Sequence, residues 1–146
     1  MATVVLDARA LGFPVTHLPL RAAVGVCRAI EEHGIRPSIK WPNDLLVNDG
    51  KVAGILCETC GSVALIGFGV NCTQRSFPPD LAPGASSILL ASGVQVSPLS
   101  LLPRVLARMK EALGDDRWRE KLIERLASPE DLARVEEPRD PGITTG

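Results

Sequence analysis

The chain has 146 residues, of which 45% are hydrophobic, and 16 basic against 17 acidic side chains leave a formal net charge of −1. This suits one compact domain with a core and excludes disorder throughout. The near balance of charge argues against binding nucleic acid or an anionic membrane by bulk electrostatics. With 3% aromatics and no Tyr, there is also no platform for stacking bases. The stretch Met1 to Leu11 carries Asp7 and Arg9 inside its apolar run and has no basic segment before it, unlike a secretory signal. No run approaches the roughly 20 apolar residues that cross a bilayer. The expectation is a cytoplasmic protein with no nucleic-acid or membrane partner.

Ala2 to Asp7, rich in β-branched residues, predicts a strand. A Gly/Pro-marked loop follows, and Thr16 is placed to cap a helix over about Leu18 to His33, with Pro19 in its first turn. Leu20, Val24, Cys27 and Ile30 form its apolar stripe, Arg21, Arg28 and Glu32 its other side, and Gly34 its C-terminal stop. Ser38 to Trp41 predicts a short strand. Leu45 to Val47 and Lys51 to Cys57 flank Asn48-Asp49-Gly50, and the Asp-Gly pair signals a hairpin turn. Ser62 to Val70 predicts another strand, in which Gly67 and Gly69 mark close approach by a ligand or a second backbone.

The segment Thr73 to Ser97 is mixed. Ser100 is placed to cap a helix to Leu113, and Asp115 or Asp116 a second one to about Leu126, with Trp118, Leu122 and Leu126 on one face. Ser128-Pro129-Glu130-Asp131 opens a short third helix. More than half of the charged residues lie from Arg104 onward, as solvated faces of these helices. The tail Glu136 to Gly146 has no periodicity and is expected to be mobile. Strands followed by helices give an α+β fold, a mixed sheet with its apolar face against helices.

Cys57 and Cys60 form a CxxC, but Cys27 and Cys72 stand alone, so no zinc spacing results and free thiols are expected. His17 and His33 read as surface or capping residues near helix ends. No metal site built from Cys or His is expected.

The most informative stretch is KWPNDLLVNDGKVAGILCE, Lys40 to Glu58. The chain has only four lysines, and two fall here, Lys40 and Lys51. Where arginine serves ordinary surface charge, a lysine inside a hairpin offers a compact ammonium that arginine cannot replace. Pro42 fixes one backbone angle and holds Asn43 and Asp44 in defined directions. An Asx turn and a solvated strand lysine account for the same residues without function.

This stretch resembles the signature of the biotin–protein ligases: KWPND, a hairpin, then K-[VL]-[AG]-G-I-L-x-E. Ile66 to Asn71 (IGFGVN) is similar to the I-G-x-G-[IV]-N strand of that family, and Ala85 to Ile88 with Ser92-Gly93 to a later segment. The resemblance spans roughly Ala2 to Leu126. It implies residues 1–127 as part of a biotin–protein ligase catalytic domain and 128–146 as a short helix and flexible tail. It implies that biotin and ATP, with Mg²⁺, give biotinyl-adenylate, whose acyl group passes to a lysine of a biotin carboxyl carrier domain. By the same resemblance Lys51 touches the biotin carboxylate and the α-phosphate as the catalytic residue. Lys51, Gly54, Leu56, Gly67 and Gly69 line biotin, and Asn43, Asp44 and Asn71 lie on the ATP and Mg²⁺ side.

The Gly/Arg-rich loop of the family, G-R-G-R-x-G-R-x-W, has no counterpart in this sequence. Two expectations follow. One is a ligase whose composite site is incomplete in the lone chain. The other is a truncated or split non-catalytic module that binds biotin or adenylate, and pairs as a homodimer or with a separate N-terminal fragment. Lipoate or octanoyl chemistry is a third, weaker reading, because WPND favours biotin.

Overall fold

The computed structural model describes residues 1–81 and 83–136 and the backbone of 143–145. Strand β1 (Ala2–Asp7) leads through two 3₁₀ turns into helix α1 (Leu18–Glu31). Strands β2 (Ser38–Lys40), β3 (Asp44–Val47), β4 (Gly50–Cys60) and β5 (Val63–Val70) come next, then helices α2 (Ile88–Ser92), α3 (Pro98–Leu113), α4 (Trp118–Ile123) and α5 (Pro129–Glu136). The strands run in the order β1-β5-β4-β3-β2, every neighbour antiparallel. A sixth strand, β6 (Ile143–Thr145), pairs parallel with Cys57–Thr59 of β4 and makes the sheet mixed. The fold is the α+β sheet-and-helix class that the segment pattern predicts.

One sheet face buries Ile39, Leu45, Val52, Ile55, Cys57, Ala64 and Ile66 against α1. The alternating burial of β1 and β5 is what a half-covered antiparallel sheet requires. Helix α1 is buried nearly all round, because α3 covers the side that the sheet does not, through Leu101, Val105, Met109 and Ala112. Leu101, Val105 and Met109 each contribute about 1.5–3 kcal/mol on leaving water. The helices approach closely at Gly25, where a Cβ would stand 2.5 Å from Met109 Cα. The other sheet face is open among the described residues, with Val5, Leu56 and Val63 exposed on it.

Several local expectations are corrected. Arg21, expected on the solvated side of α1, is 7% exposed. Its guanidinium lies 4.1 Å from the Phe13 ring centre and 4.9 Å from that of Trp118, and donates to the carbonyls of Leu113 (2.8 Å) and Asp115 (3.1 Å). Buried arginine is tolerated there because helix C-terminal carbonyls and aromatic faces replace water. Thr16 caps nothing: it sits in a 3₁₀ turn, and His17 occupies the cap position of α1 without a side-chain bond. Helix α3 starts at Pro98 rather than after Ser100, with the proline ring presetting the first helical angle. Helix α4 stops at Ile123 because residues 125–127 pair with β2: Ile39 N–H donates to the Arg125 carbonyl (2.6 Å) and Ala127 N–H to the Ile39 carbonyl (2.8 Å).

The hairpin forms one residue earlier than Asp-Gly implies. Asn48 and Asp49 carry the positive φ angles, 47° and 63°, and Gly50 is already in β4 opposite Val47. In the tail, 143–145 forms β6 where no regular structure was expected, and its backbone ladder to β4 is the reason. The rest of that expectation, 137–142 and 146, lies outside the described residues. The four thiols are free; Cys60 is exposed, and burial pushes Cys57 up to about 12 and Cys27 higher still. A CxxC on a strand sends its two sulfurs to opposite faces.

Candidate functional site

The open sheet face forms a cleft of about 420 Å³ across β1, β5, β4 and the start of β3. Its floor is laid by cross-strand pairs. Thr3 lies opposite Gly67, Leu56 opposite Gly67 from the other side, and Gly54 opposite Gly69. A Cβ at Gly69 would meet no atom within 4 Å, and one at Gly67 only the Leu56 carbonyl oxygen at 3.5 Å. Neither glycine shows a positive φ. They are therefore small for the space above them, and that space is the cleft.

Lys51 reaches this floor because β4 is irregular. Leu45 faces Ala53 and Leu46 faces Lys51, so Val52 is an extra residue, a β-bulge. Val52 and Ala53 are accordingly both buried in succession. In a regular strand Lys51 and Gly54, three apart, would point to opposite faces. The bulge puts them on the same one: Lys51 Cε is 3.6 Å from the Cβ position of Gly54, and Nζ 3.7 Å.

The ammonium pairs with Asp44, Nζ to Oδ1 2.7 Å, with side chains 47% and 27% exposed. A pair this open to solvent is worth at most about 1 kcal/mol, so a ligand anion can take the ammonium over. Asn43 is fixed by its amide, which donates to the Ile55 carbonyl at 2.8 Å. The peptide between Trp41 and Pro42 is cis, and Trp41 N–H donates to the carboxylate of the buried Asp131 at 3.1 Å. Asp131 also accepts from the Ser128 hydroxyl at 2.9 Å, and so ties α5 to the KWPND segment.

Of the residues expected in the site, Lys51, Gly54, Leu56, Gly67, Gly69, Asn43 and Asp44 line this one cleft. Asn71 does not. It follows β5, and its side-chain amide donates to the Ser86 carbonyl at 3.0 Å. Thr3, Glu58 and Leu65 line the cleft without having been singled out. Period-two alternation from Leu56 and Gly67 would have found Glu58 and Leu65. Thr3 needed the pairing register of β1. Among the described residues no three His, Cys, Asp or Glu gather as a metal site, and no helix is long and apolar enough to cross a membrane.

The biotin/lipoate A/B protein ligase family model matches residues 1–74. The chain belongs to this family. It is 39% identical over 106 residues to the bifunctional ligase/repressor BirA of Bacillus spizizenii, covering 67% of this chain and 33% of that one. It is 40% identical over 89 residues to the biotin–[acetyl-CoA-carboxylase] ligase of Paracoccus denitrificans, covering 53% and 37%. The biotin protein ligase of Aquifex aeolicus in complex with biotin and ATP superimposes with a TM-score of 0.74 at 27% identity, over 86% of this chain and 56% of that one. The chain thus spans about a third of the length of these curated ligases. The match to the family model takes in α1, the hairpin and β5, and so every residue of the cleft.

Proposed function

We propose that the cleft is a biotin and adenylate site, and that the chain acts in biotin–protein ligation. The carrying observation is the ammonium of Lys51 held over a glycine floor by a half-exposed pair with Asp44. A compact bicyclic ring system has room over Gly67 and Gly69 beside Leu56, where no side chain fills the space. Its carboxylate then meets Lys51, which exchanges Asp44 for the ligand.

In this reading the biotin carboxylate oxygen forms a bond to the α-phosphorus of ATP, and the bond to the leaving pyrophosphate breaks. Two anions approach each other, so a fixed cation at the point of attack lowers the barrier. The amine of a carrier lysine next attacks the acyl carbon; the C–N bond forms, the C–O bond to AMP breaks, and the amine gives up a proton. Asn43 and Asp44 lie at the end of the cleft nearest Lys51, where the phosphates would sit. The residues fit Mg²⁺ only as a phosphate-borne ion with Asp44 as one carboxylate ligand, because no cluster of three ligands exists among the described residues. Such an ion would neutralise phosphate charge. Supporting this reading, the relative from Paracoccus denitrificans is named for ligating biotin to acetyl-CoA carboxylase, and the Aquifex aeolicus structure holds biotin and ATP.

The test is mass-spectrometric detection of biotinyl-AMP after incubating the chain with biotin and Mg·ATP, and of biotinylated carrier domain when that is added. Product above background, lost in Lys51→Ala, is expected. Binding of a biotinyl-adenylate analogue with no product from the unaltered chain would favour a binding module over a complete enzyme.

A further inference from the structure

The bulge that aims Lys51 is not maintained by the sheet alone. β5 ends at Val70, opposite Ala53, so it stops short of Lys51. A separate segment takes its place. Lys51 N–H donates to the Gly84 carbonyl (2.7 Å) and Ser86 N–H to the Lys51 carbonyl (2.8 Å), a short parallel bridge on Ala85. Both polar groups of the Lys51 peptide are thereby used by a loop instead of a strand.

Asn71 ties that loop to the end of β5. Its backbone N–H donates to the Val52 carbonyl (2.7 Å), inside the bulge, and its carbonyl accepts from Ile88 N–H (2.8 Å). Its side-chain amide donates to the Ser86 carbonyl (3.0 Å). One residue therefore contacts the bulged residue, the loop and the start of α2. Gly50 completes the corner by leaving room: a Cβ there would stand 2.5 Å from Ser86 Cβ.

We propose that Asn71 is a positioning residue for Lys51: by holding residues 84–86 as a substitute strand, its side chain maintains the bulge at Val52 that turns the ammonium toward Gly54. The significance for ligation rests on the reading of Lys51 given above. A loop that lets go leaves both Lys51 peptide groups to water, and the strand end frays from Val52 back to the turn. Full regularisation is not open to it, because removing the bulge would drive the ammonium into the buried face.

The test uses proton contacts by NMR in the full chain, where four lysines make the Lys51 side-chain methylene signals assignable through Lys51→Arg. The unaltered chain is expected to show a contact between Lys51 Hε and Gly54 Hα. Asn71→Asp removes the amide donor at nearly constant shape, and Gly50→Ala wedges the loop from the other side. Both are expected to speed amide exchange at Lys51 and Ser86 at least tenfold and to weaken the Lys51–Gly54 contact at least threefold. The Leu45–Ala53 contact should stay intact, which shows that the sheet remains folded. Unchanged exchange in Asn71→Asp, or a loosened loop with the Lys51–Gly54 contact unaltered in both variants, overturns the proposal. Titration with biotinyl-5′-sulfamoyladenosine separates this from the functional reading. If the unaltered chain binds the probe, both variants should bind it at least fivefold more weakly, and equal affinity would overturn the positioning role. If the unaltered chain does not bind, the ligase reading fails while the proton contacts still decide the role of Asn71.

Discussion

Helices α1 and α3 meet through side chains that helical spacing alone puts face to face, whereas Lys51 sits in a corner where three separate segments complete one another's backbone. The first arrangement is regular, dry and redundant: many apolar contacts and the ion pairs Arg28–Glu111, Arg104–Glu32 and Arg108–Glu32 hold the same two helices together. The second depends on a bulge, two floor glycines and a borrowed loop, each used once. Damage to the first should therefore appear as lost stability, and damage to the second as lost binding in a folded chain.

The sharpest way to break the contrast is Gly25→Ala. Helix propensity favours alanine by about 1 kcal/mol. The new Cβ would meet backbone, Met109 Cα at 2.5 Å and Met109 N at 2.8 Å, so α1 and α3 must separate. The steric cost should win, with a net loss of about 2–3 kcal/mol in urea denaturation. Asp131→Ala comes next. It removes the carboxylate that accepts from Trp41 N–H and from Ser128, and the loss should be about 2 kcal/mol by the same measurement. Gly69→Val acts on the other region. A side chain there meets open space and β-branched residues suit strands, so stability should change by less than about 1 kcal/mol. Affinity for a biotinyl-adenylate analogue should nevertheless fall at least tenfold in calorimetry.

The smallest effect is acid sensitivity of the helical half. Arg108 and Arg104 hold the Glu32 carboxyl below its ordinary 4.5, and Lys121 holds Asp115 below 3.8. Their folded values are depressed, so their contribution is present above those ordinary values and is lost as pH falls through the folded ones. Glu32→Gln should be slightly less stable than the unaltered chain at pH 7, and the two should converge as pH falls below about 4.5, in acid titrations followed by circular dichroism.

The same division explains what could be read from the sequence. The strand Ala2–Asp7, helix α1 and the Trp118–Leu122 face follow local periodicity, and periodicity is what packing preserved. The KWPND and IGFGVN stretches likewise pointed to most of the cleft. The misses lie where a distant segment overrides local preference. Asp49-Gly50 has the residue types of a tight turn, yet Asn48 and Asp49 take it, and Gly50 is needed for its missing side chain against Ser86. The pattern Val52-Ala53, two small apolar residues in succession, is the one local trace of the bulge. Arg21 reads as solvated because its helical spacing does not reveal Phe13, Trp118 and the end of α3 around it. For Asn71, which the resemblance puts on the ATP side, only the fold shows the side-chain amide turned to Ser86.

Lys51, aimed by the bulge over a glycine floor, is what we propose makes this cleft a biotinyl-adenylate site. Isothermal titration of the full chain with biotinyl-5′-sulfamoyladenosine tests it most directly, with Lys51→Ala alongside. Micromolar or tighter binding by the unaltered chain is expected, with at least a tenfold loss in Lys51→Ala, whose thermal midpoint stays within a few degrees. No heat of binding with the unaltered chain, or equal affinity in both proteins, would contradict it.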